Sequence, residues 1–211
     1  MKHYGDITKL NGAELPVVDC ITGGSPCQDL SVAGKRAGLE GERSGLFMEQ
    51  IRIVKEMREH DRTTRGSAQF VRPRYMVWEN VPGSLSSNQG KDFQAVLTEI
   101  VRIAEPDAPD VPMPEKKWGG SGCLYDDMGR WSVAWRIHDA QFWGVPQRRK
   151  RIAVVADFGG LSAPEVLFER KGLQWNPEPS ESEGKETAET VGESSAEPNA
   201  FTLKMRGGAR Y

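Results

Sequence analysis

Three observations predict an α/β fold: short apolar runs suited to buried strands, amphipathic helical stretches between them, and polar clusters where the runs end. Residues 15–22 (LPVVDCIT) are the first run, followed by the Gly-rich turn GGSPCQ. Residues 29–45 contain four glycines, three basic residues and little apolar content, and read as a long functional loop. Ser44 is placed to cap a helix running to about Glu59, because Phe47, Ile51, Val54 and Met57 recur at helical spacing. Residues 75–79 (YMVWE) read as a second strand that ends at Asn80. A second helix is predicted over 91–104, with Phe93, Val96, Leu97, Ile100 and Val101 on one face. The Pro- and Gly-rich stretch 105–130 reads as irregular, and residues 131–137 and 151–158 as two further strands. This order implies a mostly parallel sheet with helices on both faces.

Composition excludes several classes. The chain has 211 residues, is 37% hydrophobic and 27% charged, and has no apolar run long enough to cross a membrane. Its first ten residues, MKHYGDITKL, lack the apolar core of a secretory signal. Cys20, Cys27 and Cys123 are too few and too scattered for a disulfide scaffold or a zinc site, which predicts a reducing, intracellular setting. His3, His60 and His138 have no ligand-like spacing, so no metal is expected. The net charge of -2 is uneven. Residues 177–200 hold seven Glu against one Lys, which leaves +4 on the remainder. That segment has almost no large apolar residue and is expected to be disordered.

Three polar clusters fall where strands are predicted to end or begin. They are Ser25-Pro26-Cys27-Gln28, Glu79-Asn80-Val81 and Gln147-Arg148-Arg149-Lys150-Arg151. In open α/β sheets such positions gather ligands. From the residues alone, Cys27 is equally a small buried side chain or a nucleophile whose thiolate nearby cations favour. Glu79 is a solvated strand-end carboxylate, a partner for an arginine, or an acid able to hold a proton near neutral pH. If the basic run enters a strand, Arg149 and Arg151 point the same way and suit a phosphate or a polarised base carbonyl. The alternative is a solvated basic turn.

Taken in order, GGSPCQDLSVAGKR, ENV at 79–81 and GVPQRRKR at 144–151 resemble the C5-cytosine DNA methyltransferase family. GDI at 5–7 and RSGLF at 43–47 are similar to shorter motifs of that family, and the likeness spans about residues 4–160. The resemblance implies a partial Rossmann-like, S-adenosylmethionine-dependent methyltransferase fold. It implies that Cys27 attacks C6 of a flipped-out cytosine, that Glu79 acts at N3, and that Arg149 and Arg151 hold the loop and polarise the base. Asp6, Ile7, Pro26 and Leu46 would contact the cofactor, and Gln28, Lys35 and Arg36 the DNA. It also implies a cytoplasmic enzyme of bacterial or phage origin acting on double-stranded DNA, with no metal and no membrane.

The chain departs from the family in lacking the Gly-rich loop after a first strand, the acidic residue after a second, and the later Asn-containing motif. The expected division is a partial catalytic domain over 1–163, an acidic linker over 164–200, and the start of a truncated target-recognition region over 201–211. FTLKMRGG, within that last stretch, is similar to the opening of this region in some members. A second chain completing the fold is an expected partner. An RNA cytosine methyltransferase and a non-catalytic nucleic-acid-binding subunit stay open as alternatives.

Overall fold

The computed structural model describes residues 2–25, 45–65, 70–144, 146–168 and 201–205. The strands are β1 (Cys20–Gly23), β2 (Tyr75–Asn80), β3 (Ser121–Asp126), β4 (Ser132–Asp139), β5 (Lys150–Asp157) and β6 (Phe201–Met205). The helices are α1 (Leu46–Arg65), α2 (Lys91–Ala104) and α3 (Ala163–Leu167). One six-stranded sheet runs in the order β1-β2-β5-β4-β3-β6. The α/β class is as the sequence implies.

The expectation of a mostly parallel sheet is corrected. β1–β2 and β3–β6 are parallel, whereas β2–β5, β5–β4 and β4–β3 are antiparallel. Connection lengths explain the difference. The crossover from β1 to β2 contains α1, which is long enough for a parallel return, whereas the links β3–β4 and β4–β5 are too short for one. β3 falls inside the stretch predicted to be irregular. It is held by a tight turn in which Asp126 Oδ2 accepts the backbone N–H of Met128 and of Arg130, with Gly129 at φ +71.

Alternation along the strands divides the sheet into two unlike faces. Met76, Trp78, Ile152, Val154, Val133 and Trp135 face α1 and α2 and form the main core with Phe47, Ile51, Phe93, Leu97 and Ile100. Its aromatic rings meet edge to face, as in Phe47–Trp78 at 5.8 Å and Phe93–Trp135 at 5.6 Å. The Trp118 indole donates to Gly90 O at 2.9 Å and that of Trp135 to Gly119 O at 3.1 Å, which ties the irregular stretch onto this core.

The opposite face carries a small cluster of Ala134, Val155, Ala163 and Leu167. The five-residue α3 packs there, so helices lie on both faces as the sequence implies, and among the described residues it is the only helix on this one. Cys20 and Thr22 are exposed on that side. α3 extends the folded part to Leu167, beyond the expected boundary at 163, because Pro164 starts a helix whose Leu167 is buried. The helix expected to end near Glu59 continues to Arg65, where Arg65 pairs with the buried Asp61 one turn earlier. The proposed Ser44 cap and the acidic stretch from residue 169 to 200 lie outside the described residues.

Candidate active site

The ends of β1 and β2 and the start of β5 build the site. Glu79 Oε1 and Arg151 Nε lie 2.8 Å apart. Register explains the contact: Glu79 pairs with Ala153, so Arg151, two residues earlier on β5, projects from the same face at the diagonal position. The side chains are 49% and 31% exposed, so the pair is solvated and adds little to stability. Its value lies in placement.

Arg149 is not brought to Glu79. Its side chain is exposed, and its backbone N–H donates to Asp139 Oδ1 at 3.0 Å while its carbonyl accepts Ala140 N–H at 3.1 Å. Asp139 thereby closes the excursion that carries the basic run. β5 begins at Lys150, so the alternation that aligns strand side chains does not reach back to Arg149.

The end of β1 serves three neighbours in turn. A side chain at Gly23 would strike Gln50 of α1 at 2.7 Å, and one at Gly24 would meet Glu79 Oε2 at 2.9 Å and Glu79 O at 3.2 Å. Gly24 therefore leaves the space in which the Glu79 carboxylate lies. Ser25, on the other side, is buried against Trp78 and Asn80. Gly24→Ala is expected to dislodge the carboxylate while leaving the fold intact. A double-mutant cycle of Glu79→Gln and Arg151→Gln, read by urea unfolding, should show a coupling of about 0.2–1 kcal/mol with Gly24 present. It should show none with alanine there; an unchanged coupling refutes the assignment.

Asp6 and Ile7 lie in the N-terminal segment strapped to α1. Arg52 donates to Ile7 O at 2.9 Å and to Leu10 O at 2.8 Å, and Glu56 accepts the Gly12 N–H at 2.7 Å. Asp6 caps the turn Ile7–Lys9, accepting the N–H and hydroxyl of Thr8 on Oδ1, and these bonds hold its carboxyl below the usual carboxylate range. Leu46 opens α1 and is 41% exposed. It lies about 9 Å along the helix axis from Arg52, the residue that anchors the Ile7 turn. Pro26, Cys27, Gln28, Lys35 and Arg36 lie outside the described residues. Among the described residues no group of three or more His, Cys, Asp or Glu could hold a metal, and no helix is long and apolar enough to cross a membrane.

Residues 1–103 match the model of C-5 cytosine-specific DNA methylases. Over that span the chain is similar to this family. Among curated proteins it is similar to a DNA N-6-adenine-methyltransferase of Escherichia phage P1, 35% identical over 84% of this chain and 25% of that one. It is also similar to the type II methyltransferase M.BsuFI of Bacillus subtilis, 29% identical over 79% of this chain and 31% of that one. The crystal structure of S. pombe Dnmt2 methyltransferase aligns with a TM-score of 0.43 and 16% identity, over 87% of this chain and 43% of that one. The chain spans about a quarter to a third of the length of these curated methyltransferases.

Sequence reasoning named Glu79 and Arg151 but passed over Gly24, Ser25 and Trp78 as individual residues. The signal was present in the alternation of YMVWEN, which sets Trp78 and Asn80 on the face opposite Glu79.

Proposed function

We propose that this chain is the catalytic segment of a DNA cytosine-5 methyltransferase that methylates C5 of a cytosine turned out of the duplex. The observation that carries the reading is the Glu79–Arg151 pair, held beside the strand end from which the chain leads to Cys27. The family match over residues 1–103 supports it.

On this reading the Cys27 thiolate attacks C6, and Glu79 donates a hydrogen bond or proton to N3 so that the displaced electron pair makes C5 nucleophilic. Arg151 orients the Glu79 carboxyl group and offers its remaining N–H donors to the base carbonyl. Arg149, in the adjoining turn, holds the neighbouring loop. After C5 has been methylated, a base takes its proton, Cys27 leaves as the thiolate that attacked, and N3 gives back to Glu79 any proton it received. Turning the base out of the stack costs a few kcal/mol, which contacts from Gln28, Lys35 and Arg36 to DNA offset.

S-adenosylmethionine, when bound, supplies an electrophilic methyl group. Asp6, Ile7, Pro26 and Leu46 would hold it. Among the described residues Asp6 Oδ2 accepts no hydrogen bond, and Leu46 leaves an exposed apolar side chain, so a carboxylate acceptor and an apolar surface are both available. This donor set fits an amino-bearing ligand with an apolar part.

A second chain is the proposed partner besides duplex DNA. Two observations support it: β1 pairs only with β2 among the described residues, and the sheet face bearing Cys20 and Thr22 is thinly covered. The acidic stretch is then a linker, and residues 201–211 open the part that reads DNA.

The test is methyl transfer from labelled S-adenosylmethionine to unmethylated genomic DNA, using the full chain alone and with the products of neighbouring reading frames. Label is expected in 5-methylcytosine and is expected to vanish in Cys27→Ser. Label in N6-methyladenine, or in tRNA in place of duplex DNA, overturns the reading. No label under any pairing overturns it in favour of a binding-only subunit.

A further inference from the structure

Arginine in this chain is mostly spent on ion pairs. Arg52 meets Glu49 and Glu56 on α1, Arg74 meets Asp157, and Arg130 meets Asp126. Arg136 on β4 and Arg148 and Arg149 ahead of β5 differ. Their side chains form no hydrogen bond or ion pair among the described residues. Lys150, the first residue of β5, is exposed and has no acidic partner among them either.

Register gathers these cations at one end of the sheet. Arg136 pairs with Ala153, so Arg151 lies diagonally beside it on the same face, roughly 7–8 Å away. Lys150 pairs with Asp139. The carboxylates within reach are committed elsewhere: Glu79 lies 2.8 Å from Arg151, and Asp139 is buried at 7% exposure. Asp139 Oδ1 accepts the backbone N–H of Arg149 at 3.0 Å and of Gln141 at 3.4 Å, and Oδ2 accepts the Gln141 side-chain amide at 3.2 Å.

The β3–β4 turn is the internal comparison. There Asp126 Oδ2 accepts both the Arg130 backbone N–H at 3.0 Å and its guanidinium Nε at 2.8 Å, so the acid that holds the turn also neutralises it. At the β4–β5 excursion the buried acid takes the backbone and leaves the guanidinium groups unmatched. Arg149 O accepts the Ala140 N–H at 3.1 Å, so both ends of the excursion are tied while its cations stay free. Like charges fixed side by side repel, and an arriving polyanion relieves that repulsion.

We propose that Arg136, Arg148 and Lys150 form a phosphate-gripping surface that holds the backbone of duplex DNA beside the base received by Glu79 and Arg151. This rests on the proposed reading of duplex DNA as the substrate, and it assigns that partner a surface outside the reacting groups. Contacts of this kind supply affinity and register without reading sequence.

The test measures binding of the full chain to two short duplexes of unrelated sequence by fluorescence anisotropy across a salt series. Arg148→Gln and Lys150→Gln are each expected to flatten the slope of log K against log salt by about 0.9 on both duplexes. Near 0.1 M salt each should bind roughly fivefold to tenfold more weakly. Arg148→Lys is expected to keep the slope. Arg62→Gln, roughly 24 Å along α1 from Leu46, removes the same charge and is expected to leave the slope unchanged.

An unchanged slope in either glutamine variant overturns the inference, as does an equal flattening in Arg62→Gln, which would make net charge the cause. So does no binding to either duplex, or a loss confined to single-stranded RNA or to polyglutamate, an acidic-protein mimic. Methyl transfer to duplex DNA is followed on the same samples. Transfer with unchanged slopes overturns the surface and leaves the reaction standing. The expected slopes without transfer from any sample overturn the proposed reaction and leave the surface standing.

Discussion

Glu79→Gln is expected to lower methyl transfer to cytosine by about 10²–10⁴-fold, the range typical of losing a positioned general acid. Glutamine keeps the size and one acceptor of the side chain but cannot carry an acidic proton to N3. The geometry allows this loss to be separated from unfolding. Glu79 is half exposed and its ion pair with Arg151 is solvated, so the unfolding free energy should change by less than about 1 kcal/mol. Single-turnover methyl transfer and urea unfolding on the same preparation check both halves. A rate within threefold of the unsubstituted chain removes Glu79 from the proposed chemistry. A large drop in stability instead shows that the residue serves the sheet.

The opposite profile is expected at Asp157, which is fully buried at the end of β5. Its carboxylate takes Arg74 Nε on Oδ1 at 2.7 Å and Arg74 Nη2 on Oδ2 at 2.8 Å. It also accepts the Gly159 N–H at 2.9 Å, the Ser162 N–H at 3.2 Å and the Ser162 hydroxyl at 2.6 Å. The Arg74 guanidinium lies over the Phe70 ring at 4.3 Å, so one ion pair joins the approach to β2, the end of β5 and the entrance to α3. Asp157→Ala leaves Arg74 and the turn donors without their acceptor and should cost about 3–5 kcal/mol. Urea unfolding reads this directly, and a loss below 1 kcal/mol refutes it.

The same group sets a pH dependence. Burial pushes the Asp157 carboxyl up, but the bonds from Arg74, Ser162 and Gly159 together outweigh it and hold the group below the usual carboxylate range. A depressed folded value means that the stabilisation is fully present above the unfolded value of about 3.9 and is lost as pH falls through the folded one. The unsubstituted chain should therefore lose stability below about pH 4. Asp157→Asn should be less stable at neutral pH and fall less steeply in acid.

Much of this architecture is legible in the sequence because it depends on periodicity. α2 spans 91–104 as its apolar spacing predicts, and β2, β4 and β5 differ from expectation only at their ends. β3 escapes because SGCLYD has no clean alternation and lies among Gly and Pro; it becomes a strand through the Asp126 turn and through pairing with β4. Strand direction escapes a reading of motifs but is recoverable from link lengths. At the site, Glu79 is legible because it follows the apolar run of β2, and Arg151 because it ends a basic run that leads into another apolar one. Trp78 is not, because an indole in an apolar strand reads as core and nothing more, and only its N–H distance shows that it also bonds Ser25.

Consecutive residues at the end of β1 answer to different masters: residue 23 to α1, residue 24 to the Glu79 carboxylate, and residue 25 to the Trp78 indole. Such a segment keeps count. One residue inserted or deleted there would present each neighbour with a side chain meant for another, turning Ser25 toward the acid and a glycine toward the indole. Two of these three positions are glycines, so the stretch looks permissive by composition. What it fixes is the number of steps between the sheet and the thiol.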